Sequence, residues 1–336
     1  MAHQRKTLDA TAGLDDLGRD FSQTEQMMTA ELPFSREFEF THGVAEEIAP
    51  GLRRIVADNP SAYTFKGTNS YIVGKGAVAV IDPGPDDEAH LGAILSELEK
   101  DGERVSHIFL THTHKDHCAG LARFAEMTGA QVLGFSSEDV VSRDEVKAHP
   151  NSEAFLDTAF LPDRALKGGE RVEGNGWTLE AVFTPGHAPD HLCYALGDGE
   201  TLLSGDHVMG WNTTVVAPPE GDMGDYMRSL EKLLARPETI YFPGHGGRVD
   251  QAQRLVKAFI MHRRWRENQI VDCLRDGHET IDSILPRIYD GLSSSLVDAA
   301  SYSLFAHLKL LVETGRVSTD SPPDRYSRYR ISDSRG

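Results

Sequence analysis

Short apolar runs alternate with longer amphipathic stretches along most of the chain. Residues 52–57, 70–73 and 77–81 read as strands, with Gly74 and Gly76 marking the turn between the last two. Asp82-Pro83-Gly84-Pro85 breaks the run, and residues 88–100 then take up helical periodicity. Residues 105–110 read as a buried strand ending at Thr111, 118–127 as a helix closing near Gly129, and 131–135 as another strand. The charged, irregular stretch 136–170, with Pro150 and Pro162, reads as loops and short helices. Strand character returns at 177–183, 191–195 and 201–203, followed by a helix at 223–234 and a strand at 239–242. Strands mixed with helices in this way predict α/β layers.

After Gly247 the pattern changes. Residues 251–275 predict a long helix capped near Gly277, 280–289 a short one containing Pro286, and 296–314 a third ending at Gly315. Two strand-like pieces follow at 316–318 and 326–331, and three helices with a β-ribbon fit a winged-helix module. The expected organisation is a polar lead-in over residues 1–45, a catalytic domain over 46–249 and the small C-terminal module over 250–336.

Composition narrows the functional classes. No apolar run approaches the ~18 residues that span a bilayer, and residues 1–30 lack the apolar core of a signal peptide. Cys118, Cys193 and Cys273 are too few and too scattered for a disulfide framework or a cysteine zinc site, so the cytoplasm is the expected location. Net charge is −18. From Asp250 onward 13 Lys and Arg stand against 12 Asp and Glu, which leaves 21 against 40 for residues 1–249. A field of that sign repels nucleic acid and anionic membranes at long range.

The chemistry is concentrated in Thr111-His112-Thr113-His114-Lys115-Asp116-His117, directly after a predicted strand. Alternate residues of an extended chain point the same way, so His112 and His114 can reach one metal ion together. Asp116 and His117 sit where the chain bends into the next helix and can face a second. Imidazole and carboxylate donors suit zinc, and iron or manganese also accept them. Three further islands each place a ligand-type residue in a tight Gly/Pro loop after an apolar stretch: Thr184-Pro185-Gly186-His187, Ser204-Gly205-Asp206-His207 and Pro243-Gly244-His245-Gly246.

The H-x-H-x-D-H motif followed by the His, Asp and His islands resembles the metallo-β-lactamase superfamily over roughly residues 50–248. The resemblance implies a four-layer αββα sandwich, two β-sheets with helices on both outer faces. It implies two divalent metal ions, the first held by His112, His114 and His187, the second by Asp116, His117 and His245, with Asp206 bridging. Asp82, in Val80-Ile81-Asp82-Pro83-Gly84, matches the family's buried acidic residue that supports the ligands from behind, and Thr111 is expected to support them with it. The implied nucleophile is a hydroxide shared by the two metals, with Asp116 orienting it or accepting a proton. His191, in His187-Ala188-Pro189-Asp190-His191, would position either substrate or a ligand. His207 is expected to point away from the metals, and Cys118 to serve packing.

Further motifs resemble the lactamase-beta-2-like branch: Gly67-Thr68-Asn69-Ser70-Tyr71-Ile72-Val73, Gly205-Asp206-His207-Val208-Met209-Gly210 with Thr213-Thr214-Val215 beyond it, and the run before Pro243. That branch carries a C-terminal winged helix, which residues 262–315 resemble. Its module would shape access to the active-site mouth or contribute a homodimer contact. Lactonases of the superfamily carry a Tyr three residues after the bridging Asp, where this chain has Met209. Some members of the branch are single-strand-specific endoribonucleases. The near-neutral module lacks a strongly basic face, and Arg263, Arg264 and Arg266 are spread round their helix, leaving Lys309 in the module as a further basic candidate. The expected substrate is therefore a small ester, thioester or lactone, with single-stranded RNA as the alternative and a non-catalytic metal-binding regulator as a third reading.

Overall fold

The computed structural model describes residues 32–135, 160–197, 199–289, 291 and 296–332. The first 31 residues of the expected lead-in and residues 136–159 of the irregular stretch lie outside these.

Two sheets dominate. The first has seven strands in chain order: β1 (Glu46–Ala49), β2 (Leu52–Val56), β3 (Asn69–Val73), β4 (Ala77–Ile81), β5 (Arg104–Phe109), β6 (Gln131–Gly134) and β7 (Arg164–Ala165). Pairing is antiparallel from β1 to β4 and parallel from β4 to β7. The second sheet has five strands, β8 (Arg171–Glu173), β9 (Thr178–Phe183), β10 (Leu192–Leu196), β11 (Thr201–Gly205) and β12 (Ile240–Pro243), in the spatial order β12-β11-β10-β9-β8.

Period-two alternation explains how these strands stack. In β4, Ala79 and Ile81 enter the core between the sheets, while Val78 and Val80 face the outer side. In β10, Leu192 and Tyr194 point between the sheets and Cys193 and Ala195 point outward. Both faces are buried, so these strands read as continuous apolar runs. Helices α1 (Glu88–Glu99), α2 (Lys115–Cys118) and α3 (Leu121–Thr128) follow β4 and β5. Leu91, Ile94 and Leu98 of α1 and Phe124 of α3 cover the outer face of the first sheet. Helix α4 (Met223–Leu234) and the first half of α5 (Ala252–Arg275) cover the second through Tyr226, Leu230, Val256 and Phe259. The result is the expected four-layer αββα sandwich.

The second half of α5 leaves the sandwich and enters a separate apolar cluster. There Ile270 and Leu274 meet α6 (Ile281–Ile288), α7 (Val297–Glu313) and the ribbon β13 (Val317–Thr319) and β14 (Tyr329–Ile331). One helix thus belongs to both parts of the molecule, and the break expected at residue 250 falls just before it. Three elements differ from the sequence reading. β1 and β8 are short edge strands without an apolar run, and β7 is a two-residue strand within the stretch read as loops and short helices. Residues 32–45 are also more than a polar lead-in. Leu32 and Phe34 join the core of the second sheet, and Phe38 is buried against Phe40 and Arg54.

Candidate metal centre

The ligand-type residues converge because each lies just beyond the C-terminal end of a strand, on one rim of the sandwich. The histidine motif follows β5, His187 follows β9, Asp206 follows β11 and His245 follows β12. Ligand atoms of His112, His114 and His187 lie within 4.8 Å of one another, as do those of Asp116, His117 and His245. Asp206 groups in the same way with His112 and His117. Its Oδ2 is 3.6 Å from His187 Nε2 and 3.3 Å from His245 Nε2. All seven residues are brought together, and Asp206 stands between the two triads.

The outer nitrogen of each buried ring fixes what the inner one can do. His187 Nδ1 donates to Val215 O at 2.7 Å and His245 Nδ1 to Gly67 O at 3.2 Å. A carbonyl can only accept, so each neutral ring turns a lone pair inward at Nε2. Asp82 sets two more rings. Its Oδ2 accepts from Thr111 Oγ1 at 2.7 Å and faces His117 Nδ1 at 2.9 Å, while its Oδ1 accepts from Thr111 N. Having spent its hydroxyl proton on Asp82, Thr111 can only accept from His112 Nδ1, 2.9 Å away. When neutral, these four imidazoles therefore aim Nε2 lone pairs at the same space. His112 Nε2 lies 2.8 Å and His187 Nε2 3.0 Å from His114 Nδ1.

The electrostatics call for positive charge there. Burial opposes a charge on His117, yet Asp116, Asp206 and Asp82 outweigh it and hold its pKa well above the ordinary histidine value. Burial likewise opposes a charge on His245, but Asp206 and Asp116 raise it to about 9. Burial would raise both carboxyls, Asp116 and Asp206, and the neighbouring imidazoles hold them well below the usual range instead. His117 Nε2 and Asp206 Oδ1 are buried without a hydrogen-bond partner. Orphaned donor atoms, inward lone pairs and two carboxylates fit divalent cations.

Other expected residues also find their places. His191 is fully buried and does not line the cavity; it sits beside Thr184 Oγ1, and its Nε2 accepts from Asp206 N at 3.2 Å. Its contact is with the backbone of Asp206, and it lies behind the residues that line the cavity. His207 turns away and packs on the Tyr226 ring, and Cys118 joins the core under α1 and α3. The motifs around Gly67 and Thr213 contained supporting residues whose roles were not legible. Thr68 Oγ1 donates to Asp116 Oδ2 at 3.2 Å, and Asn69 Nδ2 ties down the His245 loop through Pro243 O and Gly246 O. Thr214 Oγ1 donates to Asp206 O at 2.7 Å.

Above the ligands opens a cavity of about 430 Å³. His114, Asp116, His187, Asp206 and His245 form its floor. Met209, Val215, Pro218, Pro219 and Tyr63 form largely apolar walls, and Ala299 and Tyr302 of α7 close one side. The basic residues considered for RNA contribute little free charge. Arg263 is buried, Arg266 lies against Tyr289, Arg264 pairs with Glu231 and Lys309 with Asp222.

A family model described as the metallo-beta-lactamase superfamily matches residues 63–245. The chain belongs to that superfamily. A second model, the beta-lactamase-associated winged helix domain, matches residues 280–325, which hold α6 and α7. Among similar proteins, a beta-lactamase-like protein 2 homolog of Drosophila melanogaster is 31% identical over 81% of this chain and 91% of its own. An atrochrysone carboxyl ACP thioesterase of Aspergillus fumigatus is 30% identical over 68% of this chain and 66% of its own. The crystal structure of a metallo-beta-lactamase family protein from Thermus thermophilus superposes with a TM-score of 0.69 at 25% identity, covering 84% of this chain and 99% of that one. The protein is thus a hydrolase of the metallo-β-lactamase fold with a C-terminal winged helix. Among the described residues no helix is long and apolar enough to cross a membrane.

Proposed function

We propose that this metallo-β-lactamase-fold protein is a dinuclear metal-dependent hydrolase of a small ester or thioester. The observation that carries the reading is the pair of ligand triads flanking Asp206 at the floor of an apolar-walled cavity. His112, His114 and His187 would hold one cation, Asp116, His117 and His245 the other, and Asp206 both. Zinc suits these donors, and iron or manganese would also be accepted. When bound, the cations supply Lewis acidity towards the substrate carbonyl and make a water acidic near neutral pH.

The remaining work falls to the chain. The apolar walls hold the acyl portion of the substrate and exclude bulk water. Asp116 faces both the cavity and the ligands, and Thr68 Oγ1 fixes its Oδ2. That oxygen would orient the attacking water. His191 keeps the Asp206 backbone in place from beneath.

A relative named as an acyl-carrier-protein thioesterase supports the thioester class. RNA is disfavoured, because binding a polyanion needs several free cations along a groove. Comparing kcat/KM for small acyl thioesters, esters and lactones with that for a short single-stranded RNA, at low and moderate salt, tests the assignment. Acyl turnover should dominate. Efficient RNA cleavage without acyl turnover would overturn it and favour the endoribonuclease reading.

A further inference from the structure

Arg263 lies on α5, in the stretch that runs from the sandwich towards the winged module. Its side chain is buried at 3% exposure, and the described residues give it no carboxylate within ion-pair distance. A guanidinium buried without a counter-ion is costly, and an apolar residue would serve a plain core position better. Its contacts indicate what the charge is spent on. Nη2 donates to Thr214 O, and the guanidinium lies 5.2 Å from the centre of the Tyr226 ring.

Thr214 and Val215 are where two candidate ligands are tethered. Thr214 Oγ1 donates to the carbonyl oxygens of Asp206, at 2.7 Å, and His207, at 3.1 Å. The Val215 carbonyl accepts from His187 Nδ1 at 2.7 Å. The peptide carbonyl that Arg263 grips therefore joins the residue holding Asp206 to the residue holding His187. The other triad is supported elsewhere, by Thr68, Asp82 and Gly67.

We propose that Arg263 is a positioning residue of the metal centre, through which the helix shared with the winged module fixes His187 and Asp206 on one side of the site. The inference rests on the metal-binding reading given above. Its consequence is graded: losing Arg263 should loosen both cations, because Asp206 would serve both, and loosen more the one held by His112, His114 and His187, because His187 would serve that one alone.

The test is zinc titration of the full-length metal-free protein against a competing chelator, alongside thermal unfolding of the metal-free form. Wild type should bind two equivalents. Arg263→Gln should bind one equivalent at least tenfold more weakly than wild type and the other with a smaller loss, with Arg263→Lys recovering most of both. Such rescue is not expected of a residue that merely fills space. Thr214→Val, which cuts the link to Asp206 without touching the buried charge, should weaken both equivalents and decides the matter if Arg263→Gln does not fold. Two wild-type affinities in Arg263→Gln, or in Thr214→Val where only that variant folds, would overturn the proposal, as would equal weakening of both equivalents in Arg263→Gln. A wild type that binds no zinc, iron or manganese would instead sink the metal-centre reading itself.

Discussion

Asp82 reaches two rings at once, His117 directly and His112 through Thr111. Its backbone has a positive φ of 51°, which a non-glycine residue adopts only under constraint. Asp82→Asn keeps the shape but turns an acceptor into a donor against groups that themselves donate. Metal affinity should fall about 10- to 100-fold, and unfolding should become easier by roughly 1–3 kcal/mol for the stranded buried donors. Chelator competition and urea denaturation measure the two effects separately; unchanged metal affinity would remove Asp82 from the account. Gly244 offers a second probe. A Cβ there would collide with Asp206 Oδ1 and His117 Cε1, so Gly244→Ala should lower metal content and kcat by at least tenfold while circular dichroism stays native. A fully loaded, active Gly244→Ala enzyme would show that these two side chains have more freedom than the packing allows.

At the level of elements, strands buried on both faces and helices with marked periodicity could be read directly. Ala77–Ile81 and Met223–Leu234 fall at their expected bounds. Their apolar residues face partners on fixed sides, and Asp222 caps the helix by accepting from Asp225 N. β1, β7 and β8 could not be read, because a short edge strand gains its pairing from neighbours rather than from its own side chains. The candidate ligands were legible because four crowd one motif directly after a strand and the other three each stand in a Gly/Pro loop after an apolar run. Beyond Asp82 and Thr111 their supports were not, since Thr68, Asn69, Thr214 and Arg263 act through backbone carbonyls or side chains remote in sequence. The packing of α5 makes a pH prediction of its own. His262 on that helix is pushed down to about 3, by burial first and then by Arg263 and Arg266. The folded state therefore takes up its proton only at much lower pH than the unfolded chain, which binds one near 6.5. Stability from this group is present above pH 6.5 and is lost as pH falls from there towards 3. His262→Leu should accordingly lose less stability than wild type between pH 7 and pH 5 in urea denaturation; an equal loss would assign the acid sensitivity to other groups.

Across the described residues, the rim of the sandwich that carries the candidate ligands and one helix of the winged module meet at the same cavity. Tyr302 and Ala299 belong to α7, so the module forms part of the wall. Tyr302→Ala should raise KM several-fold for bulkier acyl substrates and leave kcat for the smallest nearly unchanged, measured by steady-state kinetics across a series of acyl lengths. A uniform fall in kcat would instead place Tyr302 in the chemistry. The net charge of −18 also shapes what can enter. With Arg263 buried, Arg266 against Tyr289, and Arg264 and Lys309 paired, these four candidates supply no cationic track of the kind a nucleic-acid strand requires. The most direct test of the central claim is stepwise return of zinc to the metal-free protein while thioester turnover and bound metal are followed together. Turnover should be negligible without metal and reach its plateau at two equivalents per chain, and Asp206→Ala should reach neither. Full thioester turnover by metal-free protein, or by Asp206→Ala, would contradict the account.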